Sequence, residues 1–371
     1  MILQVKNLKD AAVKILAAVD GSDIMDRVKD TLEIVSVGKT LQLNITNKEY
    51  YVRINMPLLE EEPFRALVNA ELFLNLVSKL TTDELELKAN QTSLVVKANG
   101  NYKLPYIYDG NDVMSVPEIK IENPTTTFNI SSDILNSIAT VNAKEINLSE
   151  ATKPFQRLYY VDEKGCITFS NGACINAFTL PEKVVLLLND KIVKLFKLFK
   201  SGDVKFTLGF DAYGDTMLTK VKFENGDIEI TDITSTTNSL VKSAPANAMR
   251  NLLNTQYPYQ VTFNKNELKD AISRLLLCNY AVGGDAKNFG FLYFDENGVT
   301  ITTPDENNKE LVKYASGTIS EKYSSMMEIK QLKSTLDVCN EDILTFSFGN
   351  HKSAVLARGT IYNVFPEASL E

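Results

Sequence analysis

The chain has 371 residues, 44% apolar and 23% charged, with a formal net charge of −8. That length exceeds one ordinary domain, and the composition suits well-formed cores in a soluble protein. No apolar run approaches the roughly 20 residues that cross a bilayer, and the opening MILQVKNLKD lacks the pattern of a secretory signal.

The scarcity of reactive side chains narrows the field further. His351 is the single histidine, so triads are excluded unless it is the base, and multi-histidine metal sites are excluded outright. It lies in FGNHKSAV and reads as a surface turn residue. Cys166, Cys174, Cys278 and Cys339 form no CxxC pair. They read as buried, reduced thiols of a cytoplasmic protein, with no metal or other cofactor implied.

In chain order, NLKDAAVKILAA (7–18) has helical periodicity. The segments 31–37, 40–46, 50–56, 85–90 and 93–99 alternate as strands. VGKT (37–40) has the end of a phosphate-binding loop, but Glu33 stands where its first glycine belongs, so it reads as a hairpin turn. AELFLNLVSKL (70–80) is a second helix. SSDILNSIATVN (131–142) and DKIVKLFKLFKS (190–201) follow, with strand clusters near 157–180 and 203–234. Asp203, Asp211 and Asp215 lie on loop-like stretches and read as turn or cap residues. NKNELKDAISRLLL (264–277) and IKQLKSTLDV (329–338) flank a last cluster near 289–321. Leu370–Glu371 reads as a cloning remnant.

These helices fall into two sets of three with nearly constant spacing. The stretch 186–210 aligns without gaps over 326–350, matching Ile192 with Leu332, Phe196 with Leu336, Phe206 with Phe346 and Gly209 with Gly349. Such self-similarity predicts three similar domains, at 1–120, 121–250 and 251–371. Each would hold two helices and about eight strands, an α+β arrangement with helices packed on antiparallel sheets.

In DKIVKLFKLFKS, Ile192, Leu195, Phe196 and Phe199 share one side of a helix, and Lys194 and Lys197 oppose them, flanked by Lys191 and Lys200. A solvated face, a membrane-surface helix and contact with nucleic-acid phosphates all fit this pattern alone. The six helices together carry twelve basic residues: Lys9, Lys14, Lys79, Lys191, Lys194, Lys197, Lys200, Lys265, Lys269, Arg274, Lys330 and Lys333. Against seven acidic ones this is a net +5, which leaves about −13 for the rest of the chain. Charge segregated by element type is what a basic track on an acidic body requires.

The whole chain resembles the bacterial DNA polymerase III β subunit, the sliding-clamp family. The resemblance is carried by VVLLLNDKIVKLFKLF, LYYVDEKGCITFSNGACINAFTLP (158–181), NGNYKLP and AVLARGTIYNVFP. It implies a non-catalytic processivity factor, a ring of two head-to-tail chains whose helices face duplex DNA without reading its sequence. The partners it implies are a DNA polymerase, a clamp loader and a second copy of the chain, with no membrane. It further implies a pocket for short partner peptides at Phe155, Ser170, Gly172, Ala173, Cys174, Ile175, Val364, Phe365 and Pro366. Here SNGACI stands for the family's threonine–aspartate–glycine–histidine–arginine–leucine run and FPEAS for its methionine–proline–methionine–arginine–leucine end. These departures suggest a divergent clamp, encoded by a phage or plasmid. The ring interface would use Tyr102 and Leu104 on one side and Leu276 and Leu277 on the other, residues that also read as ordinary core. A clamp-fold scaffold that does not encircle DNA and a carboxylate-dependent nuclease stay open as alternatives.

Overall fold

In the computed structural model, one order of elements recurs three times. The structure describes residues 1–371 apart from 20–26, 147, 150, 214–215, 235, 237, 280–283 and 369–371, so the suggested remnant and Asp215 lie outside the described residues.

The first repeat runs β1 (Ile2–Gln4), α1 (Val5–Leu16), β2 (Thr31–Val37), β3 (Thr40–Thr46), β4 (Tyr50–Pro57), β5 (Arg65–Asn69), α2 (Ala70–Lys79), β6 (Glu84–Ala89), β7 (Ser93–Lys97) and β8 (Asn101–Pro105). A short hairpin, β9 (Tyr108–Asp109) and β10 (Asp112–Val113), follows. The second runs β11 (Pro124–Ser131), α3 (Ser132–Ser137), a π turn (Ile138–Asn142), α4 (Ala143–Glu145), β12 (Tyr159–Asp162), β13 (Gly165–Phe169), β14 (Ala173–Ala177), β15 (Val185–Leu188), α5 (Asp190–Leu195), β16 (Asp203–Tyr213), β17 (Thr216–Glu224) and β18 (Ile228–Thr234). Two short helices, α6 (Asn238–Ser243) and α7 (Ala246–Leu253), lead to the third. This runs β19 (Tyr259–Asn264), α8 (Lys265–Cys278), β20 (Gly290–Asp295), β21 (Gly298–Thr302), β22 (Lys309–Lys313), β23 (Tyr323–Met327), α9 (Ile329–Val338), β24 (Ile343–Phe348), β25 (Ser353–Arg358) and β26 (Ile361–Pro366). The class is therefore α+β, with eight strands and two principal helices per repeat among the described residues.

At two of the strand-to-helix junctions an asparagine caps the helix. The Asn69 side chain accepts from the Leu72 amide at 2.8 Å, and Asn264 accepts from those of Asn266 and Glu267 at 3.0 and 3.3 Å. Each cap satisfies donors that the first helical turn leaves unpaired. The turn at VGKT needs a positive φ, which Gly38 supplies at 57°. His351 sits in the turn between β24 and β25 with φ 53°, exposed, as its sequence context predicts.

Each repeat builds two four-stranded antiparallel sheets, and neighbouring repeats fuse theirs edge to edge. In one eight-stranded sheet β4 of the first repeat pairs with β18 of the second, Ile54 opposite Ile228. In the other β14 of the second pairs with β26 of the third, Ala173 opposite Val364. The chain accordingly forms two compact units, Met1–Asn136 with Lys191–Thr236 and Ser137–Asp190 with Thr237–Glu371. The middle repeat contributes one sheet to each.

Within each unit the helices bury one stripe on the sheets. On α1 that stripe is Leu8, Ala11, Ala12 and Ile15, and on α8 it is Leu268, Ala271, Ile272 and Leu275. On the lysine-rich segment Ile192, Leu195, Phe196 and Phe199 are all buried, as the periodicity predicts, and Val193 joins them. Phe196 meets Phe223 of β17 edge-on at 4.7 Å between centroids. Each such side chain contributes about 1.5–3 kcal/mol by leaving water.

The predicted helix over 190–201 is shorter in the structure. α5 tightens into a 3₁₀ turn at Phe196–Leu198, and Phe199 is already extended at φ −78° and ψ 93°. Lys200 therefore lies beyond the helix. Three of the four cysteines are buried as expected, whereas Cys278 is exposed at the end of α8.

Candidate nucleic-acid and peptide interfaces

Several of the twelve basic residues also hold the fold together. Lys9 Nζ donates to the Leu80 carbonyl at 2.5 Å, at the end of α2. Asn136 donates to the Phe199 carbonyl at 2.7 Å, at the equivalent place in the second repeat. In both repeats a side chain one turn into the first helix satisfies a carbonyl that the second helix leaves open. Lys265 Nζ reaches the Cys339 carbonyl at 3.4 Å, and Lys191 Nζ donates to the Val19 carbonyl at 3.1 Å while lying 5.9 Å from the Tyr50 ring centroid.

Others are held by carboxylates. Lys269 and Lys333 share Asp337 at 2.9 and 2.7 Å. Burial alone would raise Asp337, but these two hydrogen bonds outweigh it and hold the carboxyl below its usual range. Arg274 forms a two-point pair with Glu310 of β22, at 2.7 and 3.0 Å. Lys14 sits half-buried in the last turn of α1. Lys79, Lys194, Lys197, Lys200 and Lys330 are exposed.

The residues nominated for a peptide pocket fall on two faces. Phe155 lies in the 3₁₀ turn Pro154–Arg157 and packs edge-on against Phe169 at 5.3 Å. With Ala173, Ile175 and Val364 it forms one apolar cluster on the fused β14–β26 sheet. Cys174 and Phe365 alternate to the opposite face, as the two-residue period of a strand requires. Phe365 joins the core of the third repeat, and the Cys174 carbonyl accepts from the buried Asn142 amide at 3.4 Å.

Gly172 makes the fusion of the two strands feasible. A Cβ at this position would stand 1.8 Å from the Val364 carbonyl oxygen. Ser170 and Asn171, in the turn beside it, are tied to neighbouring elements. Gln156 donates to the Ser170 carbonyl at 2.9 Å, Gln331 of α9 to the Ser170 hydroxyl at 2.6 Å, and Asn171 to Glu328 at 2.5 Å.

The cluster is flanked by α6 and α7, which the sequence reading missed. Leu240, Val241, Met249, Leu252 and Leu253 pack against it and stay half-buried. Their apolar spacing in NSLVKSAPANAMRNLLN is the signal that could have found them. Arg250 anchors α7 by a two-point pair to Asp162, at 2.5 and 2.6 Å. The surface so formed has an apolar floor, partly exposed apolar walls and a fixed polar turn. That is the form of a site for a short peptide with apolar anchors.

For the interface nominated between chains, Leu104 is buried in its own repeat and Tyr102 and Leu276 are half-buried, whereas Leu277 is 78% exposed. Asp203 and Asp211 lie within β16 and not on loops as their sequence context suggested, and Asp211 pairs with Lys220 of β17.

The fold is that of bacterial sliding clamps. The chain superposes over all of its length on the DNA polymerase III subunit β of Pseudomonas aeruginosa, with a TM-score of 0.79, 15% identity and all of that chain covered. The β subunit from DNA polymerase of Streptococcus pyogenes gives 0.79 at 17% identity, over 99% of both chains. The DNA polymerase sliding clamp of Bacillus subtilis gives 0.78 at 16% identity, over 100% of this chain and 99% of that one. No protein-family model matches the sequence, and no curated protein does.

Proposed function

We propose that the chain is a divergent DNA sliding clamp: a non-catalytic processivity factor that encircles duplex DNA without sequence preference and tethers a polymerase through the apolar surface around Phe155. The observation that carries this reading is the repeated edge pairing. Twice within the chain the fourth strand of one repeat pairs antiparallel with the eighth strand of the next repeat, β4 with β18 and β14 with β26. Two such edges stay open, β22 in the third repeat and β8 in the first. The same pairing made in trans joins them head to tail and builds a third eight-stranded sheet, and head-to-tail contacts that close give a ring. Leu277 and Leu311, 78% and 54% exposed, are apolar residues such a contact would cover.

Three domains at 1–120, 121–250 and 251–371 would then be the units of the ring. Lys79, Lys194, Lys197, Lys200 and Lys330 are the first choice for phosphate contact, with Lys14 behind them. Lys9, Lys191, Lys265, Lys269, Arg274 and Lys333 add charge from positions they also hold structurally. A clamp loader and a replicative polymerase are the expected partners, in the cytoplasm, and no cofactor is required. A polymerase peptide would anchor between Ala173, Ile175, Val364 and α7.

Solution mass tests the assembly. The proposal expects a dimer near twice 41.4 kDa, converted to monomer by Leu277→Asp with Leu311→Asp. A monomer at every concentration would overturn it.

A further inference from the structure

The first unit carries a groove that the clamp reading leaves unused. It has a volume of ≈480 Å³ and lies between β1 and the end of β4 with the segment that follows, MPLLEEEP (56–63). Met56 is buried at its base. Ile2 and Leu59 stand at its rim, 68% and 92% exposed. The exposed carboxylates of Glu60 and Glu84 line it, Glu84 accepting from the Gln4 side-chain amide at 2.8 Å through one oxygen, and Glu61 is exposed next to them. Glu62 also lines the groove, but the Met1 amine already meets its carboxylate at 3.1 Å. An almost fully exposed leucine followed directly by three glutamates is poorly explained by the domain's own packing.

β1 is also an edge strand, paired with β6 on one side only. Hydrogen bonds from the Leu87 amide to the Met1 carbonyl and from the Val5 amide to the Asp83 carbonyl fix which groups face β6. Alternation then turns the N–H and C=O of Ile2 and the N–H of Gln4 toward the open edge. Open edges of this kind are templates for strand addition.

We propose that this edge docks an extended segment of a partner protein with alternating apolar and basic side chains, added as a strand beside β1. Backbone groups of Ile2 and Gln4 would supply the pairing. Ile2 and Leu59 would cover the apolar side chains, and Glu60, Glu61 and Glu84 would select basic ones and repel acidic ones. The inference does not depend on DNA binding or ring closure.

The test uses the full-length protein and a fluorescent peptide of about eight residues, alternating lysine and valine. Its control alternates glutamate and valine. The lysine peptide is expected to bind in a salt-dependent way, about tenfold or more tighter than the glutamate peptide. On binding, hydrogen exchange should slow at the Ile2 and Gln4 amides. Leu59→Asp with Glu60→Lys should weaken binding by about tenfold without shifting the melting temperature, because both side chains are exposed. Equal binding of the two peptides, unchanged binding to the variant, or no slowing at those amides overturns the proposal. So does a fall in the protein's own solution mass on Leu59→Asp, which would assign the edge to a second copy of this chain.

Discussion

Gly172 and the Val364 carbonyl approach so closely that only a residue without a Cβ fits between β14 and β26, since a Cβ would lie 1.8 Å from that oxygen. The contact sits where the middle and third repeats share one sheet and beside the apolar cluster of Phe155. Gly172→Ala must push the two strands apart. The expected cost is about 3 kcal/mol, read as a lowered denaturant midpoint, with loss of peptide binding in parallel. A variant as stable as the parent would show that the strands can separate freely there.

A second link between these repeats is ionic. Arg358 of β25 donates to Glu145 of α4 at 3.0 Å, their side chains 1% and 5% exposed. Burial pushes the Glu145 carboxyl up, and the neighbouring guanidinium only partly offsets this. Arg358→Ala leaves a buried carboxyl without its counter-charge and should cost about 3–5 kcal/mol. Arg358→Met combined with Glu145→Gln should recover much of that. A double-mutant cycle with no coupling energy would contradict the assignment.

Lys194 and Lys197 are exposed on a helix whose opposite side is buried, so Lys194→Glu with Lys197→Glu should change stability by no more than about 0.5 kcal/mol. DNA retention should fall sharply and become less sensitive to salt, because two phosphate partners are lost. Lys9→Ala should do the reverse. It removes the bond to the Leu80 carbonyl and lowers stability by about 1 kcal/mol, with a smaller effect on DNA. Denaturation curves and binding isotherms on the same preparations separate the two.

Local patterns were legible, and long-range pairings were not. The strands 31–37 and 40–46 match β2 and β3 because alternation and a glycine turn bound them, and the buried stripe of the lysine helix follows from its periodicity. The same lysine helix ends earlier than its pattern suggests because a 3₁₀ turn lets Phe199 leave the helix and still reach the core. α6 and α7 escaped notice because each is short and their apolar residues serve another element's surface. Cys174 and Phe365 were grouped with their neighbours by resemblance, yet strand alternation sends them to the opposite face. The fusion of β4 with β18 joins segments far apart in sequence.

Glu367, just past β26, gives the protein a pH signature. Its carboxyl is buried, accepts from the Tyr323 hydroxyl at 3.2 Å and is pushed up to about 7 by loss of solvent. The unfolded chain ionises near its usual 4.5, so between that value and about 7 the folded state binds more protons than the unfolded one. Stability should therefore fall as pH rises through that window, by up to about 3 kcal/mol from this residue. Glu367→Gln should remove that part of the slope. Urea midpoints at about pH 5 and pH 8 for both proteins measure it, and identical slopes would exclude the role.

If DNA passes through a closed ring of this chain, as proposed, its retention depends on the topology of the DNA. Linear duplex is incubated with the protein and its ends are then ligated, so that a ring threaded over an end is trapped, and the circle is passed over a sizing column at moderate salt, before and after it is cut once. Protein should stay with the circle and be lost when the same molecule becomes linear, because the hold is topological and the phosphate contacts alone are screened. Equal loss from circular and linear DNA, or equal retention on both, would contradict it.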